Sequence, residues 1–518
     1  MIDRNINLKN LLKILIFFPV VFYFGKRSYI AFDEGFYALQ ARWILEKGNW
    51  VVPLWWDEYV LDRTIGLQFL IAKSQELFGQ NLFAAYLPTT IASILMLFIT
   101  YKLHEELFDK KYALISPLIL ATTYLWFDYS HLASQDIIYS CLVTIGIFSL
   151  IKNRKKNDNI YFFLFGISIG LAFMLKTFLI AVPLISISPY FFIMKSNILL
   201  KRFFWTGLLI GFLPYLYWTY RINSYLDQNI IYYLFQKLNN LANENTFTNP
   251  FYYYFWNIPL TFLPWSFFSI IGLISNIFNK KNNNFILTYF PLIFILIISS
   301  FSTKTPYYPL QISAILSLNA YQGIQYLLNS KNYKSNFIFI TSKLIPLFLL
   351  SFSLLYYLFF RYEFNFNAKE NLFLILGLIL FAISWSLLNK RNTLKKAFIT
   401  QIIGPYLLTT LLLQSGLFTD RSRELRETME YLSSLDVLQN HVIKVDKSSI
   451  RDERSQSKII RISLLTPQLG ESVDSLKNLK DSEYVWTTFT KIPKTEEDKF
   501  QIIFNNDILY PWKLIKKN

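Results

Sequence analysis

The chain has 518 residues, 53% of them hydrophobic and 19% aromatic, with only 16% charged. A soluble domain would carry roughly a quarter charged residues, and a disordered chain could not hold 50 Phe and 34 Tyr. The single cysteine, Cys141, excludes a disulfide framework and a thiolate metal site, while the net charge of +17 leaves nucleic-acid binding or positive-inside membrane topology.

Apolar stretches near the ~20 residues that a helix needs to cross a bilayer recur about thirteen times. They run over 8–25, 82–101, 112–127, 134–151, 160–175, 177–194, 203–220, 255–278, 285–301, 307–327, 336–360, 371–388 and 397–415. The first begins after Arg4 and Lys9 with no small-residue cleavage site behind it, so an uncleaved anchor is expected. With the N-terminus in the cytoplasm, every second turn is basic. Lys102/Lys110/Lys111, Lys152/Arg154/Lys155/Lys156, Lys195/Lys201/Arg202, Lys280/Lys281, Lys331/Lys334 and Lys390/Arg391/Lys395/Lys396 all fall inside.

An odd number of spans places three pieces outside: the first loop 26–81, the loop 221–254, and the tail from 416. The first loop holds two amphipathic helical stretches, Gly35–Lys47 and Gly66–Phe78. From Arg421 on, the tail has 17 basic and 15 acidic residues, so +15 of the net charge belongs to the membrane part and is mainly topological. The chain is expected to be mainly α, a membrane domain over 1–415 and a small extracytoplasmic α/β domain over 416–518. In that domain, helices are expected at Arg421–Leu435 and Ser472–Leu479, and strands at Val442–Val445, Ile459–Leu465, Tyr484–Phe489 and Phe500–Phe504. Gly166/Gly170 and Gly207/Gly211 have the GxxxG spacing that lets membrane helices approach closely.

Ionisable residues near a membrane are costly, so their placement carries information. The outer ends of the spans collect Asp33-Glu34, Asp62-Arg63, Asp128, His131, Asp136, Lys176, Arg221 and Lys304. Taken singly, Asp128, His131 and Arg221 are expected to be solvated or to snorkel. Together the group points to a site at the outer interface. Asp33-Glu34 could accept a proton, hold a divalent cation, or cap the following helix. Lys176 and Lys304 suit a phosphate leaving group, and Arg63 could grip one in bidentate fashion. His104-Glu105-Glu106-Leu107-Phe108 lacks the second histidine of a zinc-protease helix, three histidines exclude a multi-histidine site, and no phosphate-binding glycine loop is present.

The motifs resemble a known family, the GT-C class of glycosyltransferases that use polyprenyl-phosphate sugars, specifically the group of aminoarabinose transferases and protein O-mannosyltransferases. Asp33-Glu-Gly-Phe-Tyr-Ala38 with Gly48-Asn-Trp-Val-Val-Pro53 is similar to its DEGRYA and GDWxVP pattern, and Tyr59–Thr64 to YFEKP. His131–Asp136 resembles RLALTD, and Gly170–Lys176 resembles GLAxLTKG. Asn249–Tyr254 with Leu263-Pro-Trp265 resembles PFWYY and LPW, and Ser302–Pro309 resembles SxxKxxxYxLP.

The resemblance implies a GT-C fold in the inner membrane, and a sugar donor on a polyprenyl phosphate. Transfer would go with inversion to a lipid, glycan or protein acceptor at the outer face. It implies Asp33 as general base, with Glu34 and Asp136 as further catalytic carboxylates. Arg63, Lys176 and Lys304 would bind the donor phosphate, and Asp62 would help hold a divalent metal cation. Phe36 stands where DEGRYA has Arg, Thr64 where EKP has Pro, and 221–254 contains no histidine. The alternative from another class is a transporter of polyprenyl-linked lipid or oligosaccharide, and a scaffold that has lost catalysis is the third reading.

Overall fold

The computed structural model describes residues 13, 15–22, 25–156, 158–193, 197–243, 248–278, 285–330, 334–361, 363–364, 366–390, 394–488 and 499–518. The part of the expected anchor before Lys13, with Arg4 and Lys9, lies outside these residues, as do Lys195, Lys280, Lys281, Lys331, Arg391 and Phe489.

Among the described residues the chain is mainly helical and multi-pass. Leu82–Leu107, Gln135–Arg154, Asn159–Ile193, Lys334–Phe360, Ala368–Ser386 and Lys395–Ser415 are long and apolar enough to cross a membrane. A seventh span results if Tyr253–Thr261 and Ser266–Phe278, bent by 117°, form one broken crossing. The thirteen apolar stretches of the sequence therefore do not map one to one onto such helices, and local chemistry shows why. The stretch 112–127 breaks at Thr122–Thr123. There Thr123 accepts the Trp126 N–H at 3.3 Å and donates to the Leu120 carbonyl at 2.8 Å, giving the short helices Ile115–Ala121 and Tyr124–Ser130. Leu310–Asn329 is a 20-residue helix, but it buries Gln311, Ser313, Ser317 and Asn319, which lowers its hydropathy.

The chain divides into two compact units. One comprises Met1–Gly25, Thr89–His131 and Gln135–Phe418, and the other Lys26–Pro88, Leu132–Ser134 and Thr419–Asn518. In the first unit, the glycines at GxxxG spacing sit on the facing helices Asn159–Lys176 and Arg202–Leu226. A Cβ on Gly166 would strike the Phe204 carbonyl, one on Gly207 the Phe163 carbonyl, and one on Gly170 the backbone of Gly211. Only hydrogen at those positions lets the two backbones touch.

In the second unit the segment 26–88 shares a fold with the tail. The hairpin of β1 (Leu54–Trp55) and β2 (Glu58–Tyr59) accompanies a mixed sheet ordered β4-β3-β5-β7-β6. Its strands are β3 (Ile443–Asp446), β4 (Leu469–Val473), β5 (Tyr484–Thr488), β6 (Phe500–Phe504) and β7 (Trp512–Lys517). β3 runs parallel to β4 and β5, and β7 antiparallel to β5 and β6. Leu39 and Trp43 of the helix Phe36–Lys47 and Trp56 of the hairpin join Met429, Ile459, Ile462, Trp486 and Trp512 in one core. Arg42, 6% exposed, donates to the carbonyls of Ser463 at 2.9 Å, Thr466 at 2.7 Å and Pro467 at 3.0 Å. A cation thereby satisfies acceptors that the end of the helix Glu453–Leu465 leaves over.

That helix corrects one expectation. The run Ile459–Leu465, rich in β-branched residues, is helical because Asp452 starts it with a capping box, accepting the Ser455 N–H at 2.7 Å, and Ile459 and Ile462 then fall on one buried face. The helix expected at Ser472–Leu479 is instead the end of β4 and a single turn at Leu476–Asn478. β7, which pairs with two strands, carries the alternation Trp512, Leu514 beside Lys513 and had not been expected.

Candidate active site

In the second unit, the acidic pair falls in a single five-residue turn, Ala31–Gly35. The two carboxylates take opposite fates. Glu34, 1% exposed, accepts the Ile30 N–H at 2.6 Å and the Ala133 N–H at 3.1 Å. Burial pushes its carboxyl up to about 7, against the opposing pull of those N–H groups, the Tyr86 hydroxyl and Arg27. Asp33 is exposed, and its backbone is held at φ 55°, ψ −40°. A non-glycine residue at positive φ stores strain of ~1–3 kcal/mol, of the kind that concentrates at functional sites. Gly35 closes the turn, its N–H on the Ile30 carbonyl at 3.0 Å, and an added Cβ would lie 2.5 Å from that same oxygen. The glycine of Asp-Glu-Gly is thus required sterically.

Asp62 and Arg63 form a bidentate pair, Nε to Oδ1 at 2.9 Å and Nη2 to Oδ2 at 3.0 Å. The guanidinium stacks 4.4 Å above the Phe36 ring and 5.8 Å from the Tyr37 centroid, and Phe36 in turn packs 4.3 Å from Trp55. Both oxygens of Asp62 are thus engaged by its neighbour. Among the described residues, no group of three or more His, Cys, Asp and Glu side chains is arranged to hold a metal ion. No step is assigned to a metal ion.

In the first unit, Asp136 lies in the first turn of Gln135–Lys156 and Lys176 ends Asn159–Lys176. The two form an ion pair with both side chains under a tenth exposed. Three tyrosines surround the ammonium, Tyr307 at 4.6 Å, Tyr139 at 5.8 Å and Tyr308 at 6.0 Å from ring centroids. The next residue, Thr177, has φ 44°, ψ −123°. The related motif GLAxLTKG has glycine there, and a β-branched side chain at that φ is an outlier. Lys304, 5% exposed, donates to the carbonyls of Asn249 at 2.8 Å and Phe301 at 2.5 Å, and desolvation holds its pKa below the usual lysine value. Tyr254 reinforces the same clasp, donating to the Thr305 carbonyl at 3.0 Å and accepting the Thr305 N–H at 3.1 Å.

The structure thus joins Asp136 to Lys176 and Asp62 to Arg63, and sets Lys304 on backbone carbonyls. Asp128 and His131, expected to be solvated, are 6% and 3% exposed, with His131 Nδ1 at 2.7 Å from the Phe127 carbonyl. Arg221 is exposed and donates to the Tyr217 hydroxyl at 2.9 Å, in keeping with a surface role. Sequence reasoning missed the tyrosine cage. Tyr307 and Tyr308 sit in the segment already singled out, and Tyr139 follows Asp136 by one helical turn, which was the available signal.

A family model described as dolichyl-phosphate-mannose-protein mannosyltransferase matches residues 62–218, under a third of the chain. An uncharacterized protein of Aquifex aeolicus is 24% identical over 303 residues, 57% of this chain and 60% of that one. The undecaprenyl phosphate-alpha-4-amino-4-deoxy-L-arabinose arabinosyl transferase of Wigglesworthia glossinidia brevipalpis is 28% identical over 316 residues, 58% of this chain and 56% of that one. The chain spans little more than half the length of these curated relatives. In fold, the crystal structure of ArnT from Cupriavidus metallidurans bound to undecaprenyl phosphate superposes with a TM-score of 0.77 at 13% identity, covering 98% of this chain and 97% of that one. In motif order, family model and fold alike, the resemblance to the GT-C glycosyltransferases that use polyprenyl-phosphate sugars holds.

Proposed function

We propose that the protein is a membrane glycosyltransferase that moves a sugar from a polyprenyl phosphate to a lipid, glycan or protein acceptor at the outer face of the inner membrane. The observation that carries this is the division of labour in the strained turn. Glu34 is buried and locks the turn through two backbone N–H groups, while Asp33 is exposed on a strained backbone next to it. That is how a general base is presented to an acceptor hydroxyl.

In the reaction, Asp33 takes the proton of the acceptor as its oxygen bonds to the anomeric carbon. The bond from that carbon to the phosphate oxygen breaks, its electron pair leaving on the lipid phosphate, with inversion at carbon. The resemblance assigns Lys176 and Arg63 to the charge that develops there; Lys176 lies within its tyrosine cage and Arg63 on Phe36, each in its own unit. Asp136 sets the position of Lys176, and Lys304 holds 249–250 against the 301–305 segment. The topology that accompanies this reading has the N-terminus in the cytoplasm and the tail outside, with about thirteen membrane crossings when shorter helices are included.

One feature favours the transporter alternative, the 117° break between Tyr253–Thr261 and Ser266–Phe278, since transporters bind their ligands at discontinuous helices. Purified protein in liposomes, given a panel of polyprenyl-phosphate sugars and separate acceptor fractions, separates the two. A transferase releases free polyprenyl phosphate. Movement of intact donor across the bilayer without loss of its glycosidic bond would establish the transporter instead.

A further inference from the structure

The first unit carries a second cluster of charge and aromatic rings far from Asp136 and Lys176. Lys152, near the end of Gln135–Lys156, pairs with Glu106 near the end of Leu82–Leu107. Asp136 is at the beginning of that same Gln135–Lys156 helix, so ~24 Å of helix separates it from Lys152. Beside Glu106, on the Leu82–Leu107 helix, Glu105 accepts from the Tyr101 hydroxyl at 2.9 Å and from Lys102 at 2.8 Å, and Lys13 reaches the Tyr101 oxygen at 3.4 Å. Lys102 also lies 5.2 Å from the Tyr101 ring centroid, and Lys110 and Lys111 are exposed on the next turn.

This cationic rim stands over an apolar cleft. Phe17, Ile94, Leu97, Phe98 and Leu114 line it together with Lys13 and Tyr101. From Tyr101 down to Ile94 the lining extends ~10 Å along the helix axis, the length of several methylene groups. Phe98 is 37% exposed, and Ile91 and Leu95 of the same helix are 56% and 39% exposed, so the cleft opens on the face that a bilayer covers.

We infer that this cleft binds an anionic phospholipid of the surrounding membrane, its phosphate on Lys13, Tyr101 and Lys102 and one acyl chain along Ile94 and Phe98. Charge complementarity selects this occupant. Counting the flanks, Lys13, Lys102, Lys110, Lys111 and Lys152 outnumber Glu105, Glu106 and Asp109, and a zwitterionic headgroup would bring its own cation against that surplus. The site has no part in sugar transfer and stands whether or not the proposed activity does.

Native mass spectrometry of the full-length protein, titrated with phosphatidylglycerol and with phosphatidylethanolamine, tests the inference. Phosphatidylglycerol should be retained in preference by about fivefold or more, and Lys13→Gln and Lys102→Gln should each lower its retention about fivefold. Glu105→Gln should raise retention, a change in the direction that misfolding cannot mimic. Equal retention of the two phospholipids, indifference to the lysine and Glu105 substitutions, or occupancy by polyprenyl phosphate in place of phospholipid would overturn the assignment.

Discussion

Asp136 and Lys176 stand 40 positions apart in the chain and meet as a buried ion pair. Removing one charge strands the other in a low-dielectric setting, a loss of ~3–5 kcal/mol. Lys176→Gln should therefore lower thermal stability sharply as well as weaken donor binding. The double variant Asp136→Asn/Lys176→Gln should recover most of the stability and none of the donor affinity, as read by thermal unfolding and by binding of polyprenyl phosphate. A double variant as unstable as the single one would show that the pair is not the source of the loss.

Thr177 follows that lysine at φ 44°. Glycine adopts this conformation without the steric penalty, so Thr177→Gly should stabilise the protein by ~1 kcal/mol while leaving donor affinity unchanged. A lower melting temperature would mean that the threonine side chain contributes more than its backbone costs.

Glu34 supplies a pH dependence whose sign is fixed by burial. Its carboxyl rises from the usual 4.5 to about 7 in the folded state, so the fold favours the protonated form. The stabilisation is fully present below about pH 4.5 and is lost as the pH rises through about 7, a change of up to ~3 kcal/mol. Wild type should melt progressively lower from pH 5 to pH 8, and Glu34→Gln should flatten that slope. Parallel slopes would place the titrating group elsewhere.

Much of this was legible in the sequence because it rests on local pattern. The amphipathic stretches at Gly35–Lys47 and Gly66–Phe78 became the helices Phe36–Lys47 and Gly66–Phe78, and the GxxxG glycines mark true backbone contact. What escaped was set by an upstream cap in one place and by partners distant in the chain elsewhere. Ile459–Leu465 looks like a strand until Asp452 caps it, and Asp33 and Glu34 look equivalent until the Ala133 N–H claims one of them. The tyrosines around Lys176 come from two places far apart in the chain, Tyr139 and the adjacent Tyr307 and Tyr308.

Arg42 shows the same principle in the second unit. Arg42→Ala would leave the carbonyls of Ser463, Thr466 and Pro467 without their donor, and should destabilise that unit by at least ~2 kcal/mol. Arg42→Lys, with a single ammonium in place of a fork, should recover only part of it. Limited proteolysis within the tail, compared at increasing temperature, reads the difference, and equal resistance in all three proteins would refute the role.

The central claim is that Asp33 is the base of a transfer from polyprenyl phosphate. Its most direct measurement is the rate of free polyprenyl phosphate release by wild type and Asp33→Asn, with donor affinity measured alongside. The account predicts a fall of ~10²-fold or more in rate with donor affinity preserved, because the isosteric amide keeps the turn and loses the proton acceptor. Equal rates for the two proteins on a donor that supports turnover would contradict it.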